Sequence, residues 1–208
     1  HHACEVAPHG QVVGHHLLPA QLGAALDGRI PITRQIRELR IVGNKVFSEG
    51  TLKGLFDLND GGWLNWYTKA DRYSRSKLNA DLETLRAYYL NRGYLEFNVD
   101  STQVAISPDK QDITVTINVT EGQPYTVTAV KLEGDYLGKE EDFKTLVKIK
   151  PGEPYRAEAV TETTKEFSER FGTFGFAFAR IDARPEIDRA NGRVVLALVA
   201  DPSRRVYV

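Results

Sequence analysis

The side chains best suited to chemistry crowd one end of the chain. All five histidines and the single cysteine fall among the first sixteen of 208 residues: His1, His2, Cys4, His9, His15 and His16. Imidazole and thiolate are common zinc ligands and common partners in nucleophilic catalysis. Yet Cys4, His9, His15 and His16 match no recognised zinc spacing. Residues 1–31 open on His-His and show no amphipathic pattern, so they read as a tag or foreign segment. The alternative is a native linker whose His/Cys cluster holds a metal.

From Ile32 onward there is no His, Cys or Met. An acyl-transfer triad would lack its usual base there. Carboxylates do cluster, at Asp81/Glu83 and Glu140/Glu141/Asp142. Asp81 and Glu83 stand two apart on a helix and point to different sides, so both sets read as solvated helix faces. The stretch "GTFGFAF" follows a helix and lacks the Gly-Lys-Ser/Thr ending of a phosphate loop. Its aromatics, with Phe171, Phe174, Phe176 and Phe178, read as core. Asn118-Val119-Thr120 fits a glycosylation sequon but sits inside a strand. No catalytic, cofactor-binding or metal-binding residue is therefore assigned to the rest of the chain. The net charge of −1 is that of Glu5, Asp27 and Arg29, which leaves the remainder neutral. A neutral balance argues against nucleic acid as a partner. No apolar run approaches the roughly 18 residues of a membrane-spanning helix.

The elements carry more information than the reactive side chains. Leu78, Leu82, Leu85 and Tyr89 form one stripe of a helix. A step of 82 leads from these to Val160, Thr164, Phe167 and Phe171, from Gly93-Tyr94 to Gly175-Phe176, and from Tyr125 to Tyr207. A shared step over so long a stretch marks an internal repeat. Gly93 and Gly175 suit the left-handed residue that ends a helix, with Tyr94 and Phe176 folding back onto the last turn. "QIRELRIVGN" and "YTVTAVKLEGD" read as first strands ending at Gly43 and Gly134. Their step is 91 (Ile41 to Leu132), so the first module carries nine extra residues near "NDGGWLNWYTKAD". "SEGTLKGLF" and "KEEDFKTLV" read as short helices, the first with Ser48 as N-cap. Each long helix is followed by a hairpin, with Pro-Asp-Lys or Asn-Gly at its turn.

The pattern predicts an α+β protein of two tandem β-α-α-β-β modules. Each is a three-stranded mixed sheet covered by two helices, with strands one and three paired and strand two at an edge. The expected divisions are 1–31, 32–124 and 125–206, and "RVYV" reads as the start of a third copy.

With "IRELRIVGNKVFS", "DLETLRAYYLNRGY" and "VTINVTEGQPY" in this order, residues 33–208 resemble the POTRA domains of the Omp85 superfamily. The likeness is greatest to the third and fourth modules of its outer-membrane β-barrel assembly factors. The resemblance implies a non-catalytic periplasmic scaffold of a Gram-negative envelope, anchored by a membrane barrel. It implies assembly lipoproteins and unfolded outer-membrane precursors as partners, bound by β-augmentation. No cofactor and no nucleic acid are implied. A POTRA pair from a two-partner secretion or TamA-type transporter is the alternative.

Two stretches suit partner binding. Val99, Asp100, Ser101, Thr102, Gln103, Val104, Ala105 and Ile106 form an edge strand with no Lys or Pro to block it. A Pro at Gln103 is the variant expected to block it. The matching strand of the second module carries Arg180, Arg184 and Pro185. Trp63, Trp66 and Tyr67 could form a docking loop or pack on the module's own helices.

Overall fold

The computed structural model describes residues 35–57, 71–109 and 112–202. Residues 1–31, Trp63, Trp66, Tyr67 and Tyr207 lie outside the described residues. The first module runs β1 (Gln35–Val42), α1 (Glu49–Lys53), α2 (Asp71–Leu90), β2 (Asn98–Ile106) and β3 (Asp112–Thr120). The second runs β4 (Thr126–Gly134), α3 (Glu140–Lys144), α4 (Ala157–Thr173), β5 (Arg180–Asp188) and β6 (Arg193–Asp201). Sheet orders are β1-β3-β2 and β4-β6-β5. In each, the central strand pairs parallel to the first strand and antiparallel to the second. This is the predicted β-α-α-β-β order, twice.

Alternation makes the sheets one-sided. Ile113, Val115, Ile117 and Val119 of β3 are buried, while Thr114, Thr116 and Asn118 between them are half-buried. The buried set packs with Leu52 of α1, with Phe56, and with Leu85 and Tyr89 of α2. Val194, Leu196, Leu198 and Ala200 of β6 pack likewise with Phe143 of α3 and Val160, Phe167 and Phe171 of α4. Fully burying one such side chain stabilises by roughly 1.5–3 kcal/mol.

Four glycines set the corners. Gly93 and Gly175 adopt φ of 94° and 88°. Beyond them the Tyr94 N–H donates to Tyr89 O (3.1 Å) and the Phe176 N–H to Phe171 O (2.9 Å), the hydrogen bond that closes a left-handed helix end. Gly43 and Gly134 end the first strands at φ of 99° and 86°. A Cβ there would lie 2.1 Å from Val119 O and 2.2 Å from Ala200 O.

Two expectations are corrected. Asp81 does not belong to a solvated face. It is buried and accepts the Asp57 N–H at 3.3 Å, because the chain leaving α1 turns across α2 at that point. Phe178 is not core. It is 69% exposed, in the corner after α4 and before β5, beyond the cluster that takes in Phe171.

The first module also buries a carboxylate. Glu121 accepts from Lys45 N–H (2.8 Å), Val46 N–H (3.1 Å) and the Tyr89 hydroxyl (2.7 Å). Burial, and secondarily this carboxylate, push the Tyr89 hydroxyl far above its ordinary pKa.

Candidate functional site

The residues from Val99 to Ile106 lie on β2, at one edge of the first sheet. Its pairing with β3 is interrupted between Val99, which faces Val119, and Ser101, which faces Asn118. Asp100 is the extra residue of a β-bulge. Its carboxylate is anchored there, accepting from Thr120 Oγ1 (2.6 Å) and Asn98 Nδ2 (2.7 Å). Those two bonds hold its pKa below the usual carboxylate value. Asn118 Nδ2 donates to Ser101 Oγ at 2.9 Å, so the bulge is tied to the central strand on both sides.

The register decides which backbone groups are open. The Ser107 N–H donates to Asp112 O at 2.9 Å. Antiparallel pairs alternate between hydrogen-bonded and non-bonded. Counting back along the same register, Ala105, Gln103 and Ser101 spend their backbone groups on β3. Ile106, Val104 and Thr102 turn theirs outward. The expected blocking site is therefore displaced by one: Pro at Gln103 would cut the ladder, and Pro at Val104 would close the edge.

The side chains agree with this division. Thr102, Val104 and Ile106 oppose Ile117, Val115 and Ile113, so they stand on the helix-covered face. Thr102 is half-buried, as is Val99, which packs on the core. Val104 and Ile106 remain 54% and 46% exposed. Ser101, Gln103 and Ala105 stand on the other face, all exposed. An added strand would meet open backbone groups beside two half-covered aliphatic side chains.

The same edge of the second sheet differs. β5 pairs with β6 without interruption. The bulge thus changes the internal step. Val99 corresponds to Ile181, a step of 82, but Thr102 corresponds to Ala183, a step of 81. Pro185 then occupies the place of Val104, with no N–H to offer. The face beyond it is charged: Arg184 pairs with Asp182 at 2.7 Å, and Lys131 with Glu186 at 3.6 Å. Sequence matching at a constant step of 82 sets Pro185 against Gln103 and Tyr207 against Tyr125. Past the bulge, Tyr125 corresponds to Val206 and Val127 to Val208.

The two modules meet at the corner Asn91–Glu96. Glu96 accepts from the Tyr125 hydroxyl (2.5 Å) and from Arg189 Nε (2.6 Å). These two bonds, in that order, hold its carboxyl below the usual range. The Gly93 carbonyl accepts the Tyr125 N–H (2.9 Å), and Asn91 Oδ1 accepts the Glu158 N–H at the start of α4 (2.9 Å). Leu95 packs against the second core. No sequence motif singled out this joint. Among the described residues, no group of three or more His, Cys, Asp or Glu is placed to hold a metal.

A family model described as POTRA, surface antigen variable number repeat, matches residues 35–122 and again 125–202. The outer membrane protein assembly factor BamA of Neisseria meningitidis is 29% identical over 175 residues, covering 84% of this chain and 22% of that protein. BamA of Buchnera aphidicola is also 29% identical, over 84% of this chain and 28% of its own length. The chain thus spans under a third of the curated relatives it matches. A crystal structure of Haemophilus influenzae BamA POTRA3-5 superposes with a TM-score of 0.74 at 25% identity, covering 83% of this chain and 67% of that one.

Proposed function

The chain belongs to the POTRA family, and from that premise we propose that it is a non-catalytic periplasmic scaffold in outer-membrane protein assembly. Its parent protein would be anchored by a membrane barrel in a Gram-negative envelope. Residues 32–124 and 125–206 would correspond to the third and fourth modules, with residues 1–31 a foreign segment. The names of the BamA relatives support the assembly role. Unfolded barrel precursors and partner lipoproteins are the proposed ligands, and β2 is the proposed acceptor strand.

One observation carries the binding reading: among the described residues β2 is the outer strand of its sheet, and Val99 to Ile106 contain no Pro or Lys. Its outward backbone groups are those of Thr102, Val104 and Ile106, flanked by half-exposed aliphatic side chains. Backbone hydrogen bonds give an affinity that ignores sequence, which suits a scaffold for many different unfolded chains. Val104 and Ile106 add a modest preference for the alternating apolar residues of a barrel strand. Asp100 limits the usable edge, because a bulge ends regular pairing at that point.

The test is NMR titration of residues 33–208 with an extended barrel-strand peptide. Shifts are expected at Thr102, Val104 and Ile106 and to be lost in Val104→Pro, whose fold is checked by unchanged signals from the first module's core, Leu85, Tyr89, Ile117 and Val119. Shifts confined to the helices, or shifts that persist in the folded variant, would overturn the edge reading and turn attention to Trp63, Trp66 and Tyr67.

A further inference from the structure

The first strand of each sheet is also an outer strand among the described residues, and the two modules treat its outer edge differently. The step of 91 sets Leu39, Ile41, Gly43 and Glu49 against Val130, Leu132, Gly134 and Glu140. In a parallel ladder alternate residues turn their backbone groups to the partner strand, and the residues between turn theirs away. The Asp135 N–H donates to Ala200 O at 3.0 Å, so Glu133, Lys131 and Ala129, in step with it, face β6. Val130, Leu132 and Gly134 therefore turn their N–H and C=O groups outward. In the first module the matching group is taken: the Ile41 N–H donates to Glu49 Oε1 at 3.2 Å. Glu49 stands in the first turn of α1, whose start Ser48 caps, and Leu39 and Ile41 are buried. In the second module Lys139 gives α3 no side-chain cap. The exposed Glu140 makes no hydrogen bond among the described residues, to Leu132 or elsewhere. Val130 and Leu132 are only half-buried at the margin of the core.

The start of β4 already shows what this edge accepts. The Val127 N–H donates to Glu153 O (2.9 Å), the Gly152 N–H donates to Val127 O (2.7 Å), and Thr126 bridges antiparallel to Pro154. The chain's own segment before α4 thus lies there as a short added strand. It leaves the edge at Pro151-Gly152, where Gly152 takes a φ of 93°. We infer that Val130–Gly134 of β4 is a second acceptor edge, which takes an extended segment of an unfolded polypeptide antiparallel to β4. Lys131, a residue type that commonly guards an edge, does not stand over this one. It lies on the open face and reaches across β6 to Glu186 of β5, at 3.6 Å. Side chains of an added strand would alternate between the aliphatic Val130 and Leu132 on the helix-covered side and the charged Lys131 and Glu133 on the open face. The segment selected is therefore apolar at every second position and polar between. Each module then presents one acceptor edge, on opposite sides of its sheet: β2 in the first, where Ile41 is capped, and β4 in the second, where Pro185 closes β5.

The inference rests on the reading of the chain as a scaffold for extended segments, but it concerns a different strand, and the experiment separates the two. The whole chain is titrated with the barrel-strand peptide carrying a nitroxide spin label, and amide signals are followed by NMR. Broadening is expected at Val130, Leu132 and Gly134 as well as along β2. Leu132→Pro removes one outward N–H and should weaken binding at β4 about tenfold while β2 is unchanged. Its fold is checked by unchanged signals from Tyr136, Phe143, Phe167 and Leu198. Leu132→Lys, which keeps the N–H and places a mobile charge beside the edge, is the second variant and should weaken β4 in the same direction. Broadening along β2 with none at β4, or broadening at β4 that persists in both folded variants, would overturn this inference and leave β2 standing. Broadening at β4 alone would support it and overturn the reading of β2. Broadening at neither edge would overturn both.

Discussion

The two modules share a fold down to the residue that ends each first strand, yet they treat the same sheet edge in opposite ways. β2 leaves Val104 and Ile106 half-exposed and offers their backbone groups outward. β5 sets Pro185 at the matching place and lines its far face with Arg184, Asp182 and Glu186. The positions that define the fold are alike: Gly43 and Gly134, Gly93 and Gly175, and the alternating apolar residues of β3 and β6. The edge and the corner differ where their side chains leave the cores: Val104, Ile106 and Phe178 are exposed. Sequence likeness between repeats therefore reports architecture, and the departures from it mark where each module meets something else.

The largest effects should strike what the modules share. Gly43→Ala and Gly134→Ala each place a Cβ about 2 Å from a carbonyl of the central strand, at a φ that side chains resist. Neither backbone can retreat without unpairing the parallel strands. Each change should cost its own module about 3–5 kcal/mol. Hydrogen exchange resolved by module would show loss of protection in one sheet and then in the other. A loss in only one of the two variants would break the equivalence of the modules.

A smaller effect should separate them. Glu121 gathers Lys45 N–H, Val46 N–H and the Tyr89 hydroxyl in the first module, and Pro202 stands in its place in the second. Glu121→Leu leaves three donors without their acceptor and should destabilise the first module by about 2–3 kcal/mol. Pro202→Ala should alter the second far less. Denaturant midpoints of the two variants check this, and equal losses would show that the buried carboxylate adds nothing particular to the first module.

Much of this comparison was legible in the sequence. The corners announced themselves because only glycine takes a left-handed φ without cost, and the central strands because apolar alternation runs unbroken from Ile113 to Val119. The bulge was not legible. Asp100 is one extra residue with no compositional mark, and it shifts everything after it by one. That single residue exchanged Val104 for Gln103 as the partner of Pro185, and Val206 for Tyr207 as the partner of Tyr125. Asp81 was also misread, because a carboxylate that caps a neighbouring turn looks in sequence like one that faces water. The joint at Glu96 left no signal, since its partners Tyr125 and Arg189 lie 29 and 93 positions away.

The edges themselves can be exchanged. Val104→Pro should weaken binding of a barrel-strand peptide about tenfold, near 1.4 kcal/mol, by removing one outward N–H. Edge strands tolerate Pro where the N–H faces solvent, so the fold should persist. Pro185→Val should do the reverse and give β5 a weak affinity that the parent lacks. Titration of both variants with one peptide measures the two changes together. A loss in the first without a gain in the second would mean that the charged face of β5 blocks pairing even without its proline.

The smallest expected effect concerns the joint and depends on pH. Glu96 has its carboxyl pKa lowered by the Tyr125 hydroxyl and then by Arg189. A group whose pKa is depressed in the folded state contributes stability that is complete above its unfolded pKa. That contribution is lost as pH falls through the lower, folded value. The joint should thus be closed at neutral pH and loosen only in acid, below the ordinary carboxylate range. The Tyr125 amide, bonded to Gly93 O, reports the change directly. Its hydrogen-exchange protection, corrected for the intrinsic pH dependence of exchange, should fall with pH while that of amides in β6 holds. Glu96→Gln should flatten the profile, because a neutral amide still accepts the tyrosine proton but has nothing to titrate. Salt should act in the same direction as acid, since the Arg189 pair is largely exposed and open to screening. A Tyr125 profile that is unchanged in Glu96→Gln would show that the backbone bond and Leu95 hold the modules together, and that the carboxylate only decorates the joint.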